Sequence, residues 1–277
     1  MQDIIIQIGK SIIQHGKSNN RVYVMKYHPD DSPIILKKIN ELAKENRYTK
    51  IFAKIPLMQA MEFIEDGFVI EAEVPKFFKG KETCYFLCKY FSMSRKLDQF
   101  KSRDESIQTI AMAKSKKQDL KKLDPPFHIS MLEERNAVAM ANIYAEIFKS
   151  YPFPIHDPEY IKSTMAKNIV YFGLFENDKL LAISSAELDT DAQNAELTDF
   201  ATAPGHEGKN YSLHLLKQME EVLPHYGIKT VYTIARSASP GMNVTFAKAN
   251  YIFAGKLLNN TQIAGEIENM NVWYKFL

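Results

Sequence analysis

One order of elements is written twice along this chain, and it narrows the fold to layered α/β. RVYVMKY alternates as a strand, and SPIILKKINELAKENR carries apolar residues at helical spacing. KIFAKIP is a second strand, PLMQAMEFIEDGF a second helix, and FVIEAEVPKFF and TCYFLCKYFS follow as two more strands. Further on, AELTDFATA is a strand, YSLHLLKQMEEVL a helix and KTVYTIAR a strand; GMNVTFAKANY is a helix, and YIFAGKLL with MNVWYKFL forms a closing pair. Order and rough lengths agree while identity between the two series is slight, so the chain reads as a duplicated architecture, with convergent α/β patterning as the alternative. IVYFGLFENDKLLAISSAEL leads the second series as a hairpin turning at Asn177-Asp178. The first series is read as lacking such a hairpin. HISMLEERNAVAMANIYAEIFKSY reads as helical up to YPFP, with another helix around DPEYIKSTMAK.

Residues 92–126 separate the two series. They are polar, Lys-rich and helix-compatible, and they stop at Asp124-Pro125-Pro126, which no helix crosses easily. The expected organisation is an N-terminal α/β domain over 1–92, a helical linker over 93–126 and a second domain over 127–277. The basic tract SRKLDQFKSR with AKSKKQDLKKL is interrupted by acids and lacks interleaved aromatics, so it reads as the solvated face of a helix. With a formal charge of only +2, nucleic acid is not an expected partner. No apolar run approaches the length of a membrane span, and the start, MQDIIIQIGKSIIQ, has no basic region ahead of its apolar stretch, so a cytoplasmic protein is expected. NVT at 243 and NNT at 259 are then chance matches to the glycosylation pattern. Cys84 and Cys88 share one face of an extended strand, too far apart for a disulfide, and read as buried thiols. No metal is signalled.

Between the strand AELTDFATA and the helix from Tyr211 lies TAPGHEGKNYS, with two glycines, a proline, a lysine and hardly an apolar side chain. A diphosphate requires several backbone N–H donors converging at a helix N-terminus, and Gly205 and Gly208 let the backbone approach and take positive φ. Taken alone, a turn of this composition is as readily a solvent loop.

From about Phe127 to Leu277 the chain resembles the GCN5-related N-acetyltransferases, the GNAT superfamily. The residues carrying the likeness are AELTDFATAP, the turn GHEGKN, the helix YSLHLLKQMEEV and FAKANYIFAG, where the family has Tyr-x-x-x-Gly-Phe. IARSASPGMNVTFAKANYIFAGKLLNNTQIAGEIENMNVWYKFL and GFVIEAEVPKFFKGKETCYFLCKYFS are similar to one branch, the β-lysine N-acetyltransferases. The resemblance implies a GNAT fold, a mixed twisted sheet with flanking helices, preceded by a smaller GNAT-like α/β half. It also implies acetyl-coenzyme A as co-substrate and a small diamino acid as acceptor, L-β-lysine at its terminal amine, and leaves a homodimer open. The first half has only HPDDSP where a phosphate turn would stand, so it is expected to be structural, to cover the cleft or to form a dimer interface.

The resemblance assigns Phe200, Ala201, Thr202, Gly205, His206, Gly208, Lys209, Asn210, Tyr211, Asn243 and Phe246 to acetyl-coenzyme A. The turn departs from the family pattern at Glu207, where arginine is usual, and at Asn210, where a small residue is usual. Asn243 is expected near the pantetheine arm or as a helix cap. Phe246 stands where the family often has a proton-donating tyrosine; Tyr211 and Tyr274 are other donors to consider. A neutral attacking amine requires a base. Glu196 matches the family's glutamate, and Asp199 is the second choice, or the holder of the acceptor's distal ammonium. Strict alternation puts Glu196, Thr198, Phe200 and Thr202 on one face and Leu197, Asp199 and Ala201 on the other, so one acid only should line the cleft. Arg236 and Ser237 end a strand where ligands collect in open α/β sheets, and Arg236 suits a carboxylate or a plain surface ion pair. Glu266 and Glu268 are expected to meet an acceptor ammonium. The rivals are a GNAT with a protein lysine, an N-terminus or another diamine as acceptor, and a non-catalytic acyl-coenzyme A binder.

Overall fold

β-branched Ile4–Ile8 (β1) and Ser11–Gly16 (β2) close a hairpin over Gly9-Lys10. The Asp31 carboxylate, twenty residues on, pins that turn by accepting from Lys10 N, Ser11 N and Ser11 Oγ at 2.8, 2.8 and 2.7 Å. The first series therefore does have a leading hairpin, contrary to the sequence reading: IIIQI and SIIQHG show no clean alternation, and the acid that fixes their turn is remote. The computed structural model describes residues 3–115 and 120–277, so part of the basic tract, residues 116–119, lies outside the described residues.

The first half continues as Arg21–Lys26 (β3), Ser32–Glu45 (α1), Lys50–Pro56 (β4), Leu57–Glu65 (α2), Val69–Phe78 (β5) and Glu82–Tyr90 (β6). In the linker, Met93–Lys96 (α3) and Lys101–Ala113 (α4) are helical. The latter buries Asp104, Ile107 and Ala111, so this helix is amphipathic, with one face docked and the other solvated. The second half comprises Phe127–Met131 (β7), Ala137–Ile147 (α5), Pro158–Met165 (α6), Ile169–Glu176 (β8), Lys179–Asp189 (β9), Asn194–Thr202 (β10), Tyr211–Val222 (α7), Thr230–Arg236 (β11), Pro240–Lys248 (α8), Ile252–Ile263 (β12) and Glu266–Phe276 (β13). The stretch read as helical from His128 begins instead as a strand, because β7 completes its backbone bonding along β8. No described helix is long and apolar enough to cross a membrane.

All thirteen strands form one sheet in the order β1-β2-β3-β4-β6-β5-β12-β13-β11-β10-β9-β8-β7. The halves mirror one another in connectivity. β3 and β4 run parallel, bridged by α1, and β4-β6-β5 continue antiparallel; β10 and β11 run parallel, bridged by α7, and β11-β13-β12 continue antiparallel. Helices α1 and α2 cover one core built on Ile35, Ile39, Phe63 and Ile51, and α4, α7 and α8 another built on Leu215, Leu216, Phe246 and Trp273. A third core holds Phe52, Phe86, Cys84 and Cys88 against Tyr232, Val272 and Tyr274, so the sheet wraps the two halves onto each other. Burial raises both thiols above their ordinary range.

The halves join where β5 meets β12, at Ala72 opposite Gly255. Gly255 has φ 153°, and a Cβ there would lie 2.1 Å from the Glu71 carbonyl oxygen and 2.7 Å from Ala72 Cα. Backbone cannot yield to such contacts as a flexible side chain would. Gly255→Ala is expected to lower stability by about 2–4 kcal/mol in urea unfolding; a loss below about 1 kcal/mol would show that the junction can open.

Candidate active site

β10 and β11 pair in parallel at three positions only, Asn194 with Thr230, Ala195 with Val231 and Glu196 with Tyr232. Beyond Glu196 they part, although β10 runs on to Thr202 and β11 to Arg236. A wedge with unpaired backbone on its walls opens between them, at the end of the strands where α/β sheets take ligands. On its other edge β10 carries a bulge: Thr198 pairs with Ser185 but Ala201 with Ile183, with Asp199 at φ 53° inside it.

The bulge overturns the alternation read from the sequence. Before it, Ala195 and Leu197 join the core under α7, and after it Phe200 packs there while Ala201 joins the opposite core, under α5 and α6. One inserted residue shifts the facing, and Asp199 turns toward Tyr151, which belongs to that opposite core. Its Oδ1 accepts from Tyr151 at 2.5 Å and its Oδ2 from Ser185 at 2.6 Å. Burial raises the Asp199 carboxyl, against the lowering by Ser185, Tyr151 and Thr198. Glu196 lies on the same side: its Oε2 accepts from the Tyr232 hydroxyl at 2.9 Å, and Lys54 Nζ of β4 stands 3.8 Å away. Opposite Glu196 in register is Glu187 of β9, whose carboxyl is raised by burial first and by Glu196 second. Two predicted acids, not one, therefore share this face. Lys54, Glu187, Tyr151 and Tyr232 were missed. Lys54 and Glu187 left one trace, a charge set inside the apolar strands KIFAKIP and LAISSAEL.

The turn after Thr202 is built from left-handed residues, with φ 80° at Gly205, 75° at Gly208 and 60° at Asn210. His206 N bonds back to Ala203 O at 3.1 Å, while the N–H groups of Gly208, Lys209, Asn210, Tyr211 and Ser212 have no partner among the described residues. These orphan donors, at the start of a twelve-residue helix, suit an anion. His206 Nδ1 is likewise buried without a partner among the described residues. Gly205 N donates instead to the Glu207 carboxylate at 2.8 Å, so that acid bends back and already holds one of the donors a phosphate would use. Lys209 stands 6.0 Å over the Tyr211 ring. The residues fit the diphosphate of coenzyme A, with Glu207 as competitor.

Other expected contacts are already engaged. Asn243 is fully buried and donates to Arg236 O and Ser239 O at 3.0 and 2.7 Å. It accepts from Asn271 and Trp273 Nε1 at 2.8 and 3.0 Å, so its side chain has spent its donors, and the helix cap is Ser239. Phe246 is fully buried, edge-on to Phe200 at 5.6 Å, as core. Tyr211 is buried against Phe127, and Tyr274 packs on Phe276. Arg236 forms a bidentate pair with Glu268 at 2.9 and 2.6 Å, so the two residues assigned to opposite ends of the acceptor satisfy each other. Ser237 is buried on Asn271, and Glu266 is exposed in the final hairpin. A cavity of about 410 Å³, lined by Tyr151, Phe153, His156, Asp3, Ser18 and Gln262 among others, opens beside the acid face. That volume suits a small molecule.

A family model described as the acetyltransferase (GNAT) family matches residues 112–243. A beta-lysine N(6)-acetyltransferase of Methanococcus maripaludis is 36% identical over 98% of this chain and 98% of its own. A beta-lysine N(6)-acetyltransferase of Methanosarcina mazei is 28% identical over 86% and 95%, and N-acetyltransferase YodP of Bacillus subtilis is 29% identical over 96% of each. These relatives span both halves. Because Glu207 competes for the turn, Glu207→Ala is expected to tighten coenzyme A about three- to tenfold, read by calorimetry at low ionic strength. Unchanged affinity would place the diphosphate elsewhere.

Proposed function

The chain belongs to the GNAT acetyltransferase family, and within it we propose transfer of the acetyl group of acetyl-coenzyme A to the terminal amine of L-β-lysine, giving Nε-acetyl-β-lysine. The acceptor is supported by the likeness to a beta-lysine N(6)-acetyltransferase at 36% identity across both halves. A cavity of about 410 Å³, which shares Tyr151 with the acid face, is of a size that suits a small acceptor. Acetylation replaces an ammonium by a neutral amide, so the product carries one positive charge fewer, which suits a compatible solute made in the cytosol.

The diphosphate rests on the turn from Gly205 to Tyr211, and the pantetheine arm lies in the wedge between β10 and β11. The acceptor enters as an ammonium and must lose a proton before it can attack. Glu196, or a water it holds, takes that proton; Asp199 on the same face is the second candidate. The amine nitrogen then attacks the thioester carbonyl carbon. A backbone N–H of β10 near Thr202 steadies the oxygen as its charge grows; collapse expels the coenzyme A thiolate, and the nitrogen's second proton passes to that thiolate or to solvent, leaving the neutral amide. Phe246 has no proton to offer, so the thiolate leaves without help from that position.

Thiol release should be followed with acetyl-coenzyme A and β-lysine, beside α-lysine, spermidine and a lysine peptide. Preferential turnover of β-lysine is expected, with kcat falling about 10²- to 10⁴-fold in Glu196→Gln. If Asp199→Asn loses that much and Glu196→Gln does not, the base is Asp199. Coenzyme A binding without turnover of any acceptor would favour a binding module.

A further inference from the structure

Lys54 carries the first half of the chain into the hydrogen bonding of the acid face. Lys54 of β4 extends from the first half, its side chain 13% exposed, and donates from Nζ to the Tyr232 hydroxyl of β11 at 2.7 Å. That hydroxyl in turn donates to Glu196 Oε2 at 2.9 Å. A lysine ammonium has three donors and no acceptor, and a tyrosine hydroxyl has one proton. With its oxygen accepting from Lys54, Tyr232 can send its proton only to Glu196. The chain of bonds therefore has one possible direction. It holds Oε2 and leaves Oε1 without a partner among the described residues.

Charge strengthens the arrangement. Burial alone would lower the Lys54 ammonium, yet among Tyr23, Tyr232 and Glu196 it stays well above its ordinary range and so remains a cation. Tyr23 is pushed up to about 12 by burial, and Tyr232 well above its usual range for the same reason, so both stay neutral and Glu196 is the carboxylate that answers Lys54. The groups facing Glu196 are Lys54 from β4, Arg21 and Tyr23 from β3, Tyr232 from β11, Glu187 from β9 and Tyr151 from the segment after α5. Two carboxyls, Glu187 and Glu196, stand directly opposite in register, with the Lys54 ammonium 3.8 Å from Glu196.

We infer that Lys54, acting through Tyr232, is a positioning residue for Glu196, so that the first half of the chain is part of the catalytic apparatus and not only a scaffold. Lys54 holds Oε2 through Tyr232 and so orients the carboxylate that takes the acceptor's proton. This inference rests on Glu196 being the base.

The test uses the full-length chain with Lys54→Met, Lys54→Arg and Tyr232→Phe, measuring kcat and KM against pH with the preferred acceptor. Lys54→Met is expected to lower kcat about ten- to a hundredfold. It should also move the acid limb of the kcat profile to higher pH, because a carboxylate that loses its cation beside Glu187 is protonated more readily. Lys54→Arg should restore most of both, and KM for acetyl-coenzyme A should stay as in the parent. Tyr232→Phe keeps the ring in the core and breaks the relay, so it should show the same shift in smaller measure, and it carries the test if Lys54→Met does not fold. An unshifted acid limb in both Lys54→Met and Tyr232→Phe overturns the inference while Glu196→Gln remains inactive. If Glu196→Gln is active, the reading of the base fails first, and a limb that still moves in Lys54→Met assigns Lys54 to another carboxylate on that face, overturning the inference as stated.

Discussion

Three consecutive carbonyls of β12, each taken by a buried cation from outside the second half's own fold, hold this molecule together. The ladder between β12 and β13 breaks between Leu257 and Thr261, and the broken stretch leaves its backbone groups to find other partners. Lys50 Nζ takes Leu258 O at 2.6 Å, Arg95 Nε takes Asn259 O at 2.7 Å, and the Arg21 guanidinium takes Asn260 O. Of these three cations only Lys50 forms an ion pair among the described residues, with Glu71 at 3.2 Å. Burial lowers the Arg21 and Arg95 guanidiniums, the latter to about 10. An unsatisfied charge in such a place is costly, so removing either side of these contacts leaves the other stranded. The first half needs the β12 carbonyls as much as β12 needs its cations.

The meeting of the two halves at the acid face follows from that union. Because the sheet wraps round a shared core of Phe52, Phe86, Tyr232 and Val272, β4 of one half comes to face β10 and β11 of the other. Lys54 can then meet Glu196, 142 residues away in the chain, across Tyr232. Further polar ties repeat the link. Thr230 donates to Lys76 O at 2.7 Å, Asn194 to Phe77 O at 3.3 Å, and Lys26 pairs with Asp189 at 3.1 Å. A GNAT half without this partner would present its acids to solvent on that side, where their charges would be screened and their geometry loose.

The acid face is also a place of local conflict. Asp199 takes a positive φ in a strand, and Glu187 and Glu196 stand opposite one another with like charge. Both features cost stability, and such costs gather where chemistry requires them. The glycine turn shows the same tension in milder form, with an acid folded onto a donor that an anion would use.

Much of this was legible in the residues. The two strand–helix–strand series, the glycine turn ahead of a helix and the family likeness all rest on patterns a few residues long, since side-chain period and turn chemistry are local properties of the backbone. That is why Gly205, Gly208 and Glu196 stood out. What the tertiary structure decided depends on partners remote in the chain. The β1–β2 hairpin rests on Asp31. Asn243 is saturated by Asn271, Trp273 and two carbonyls, and Arg236 is answered by Glu268. The bulge that brings Asp199 onto the side of Glu196 is one extra residue set against β9, and no period of two reveals it from β10 alone. Strand identity is written locally, but the face a residue shows, and the charge it meets there, are fixed only when the two halves close on each other.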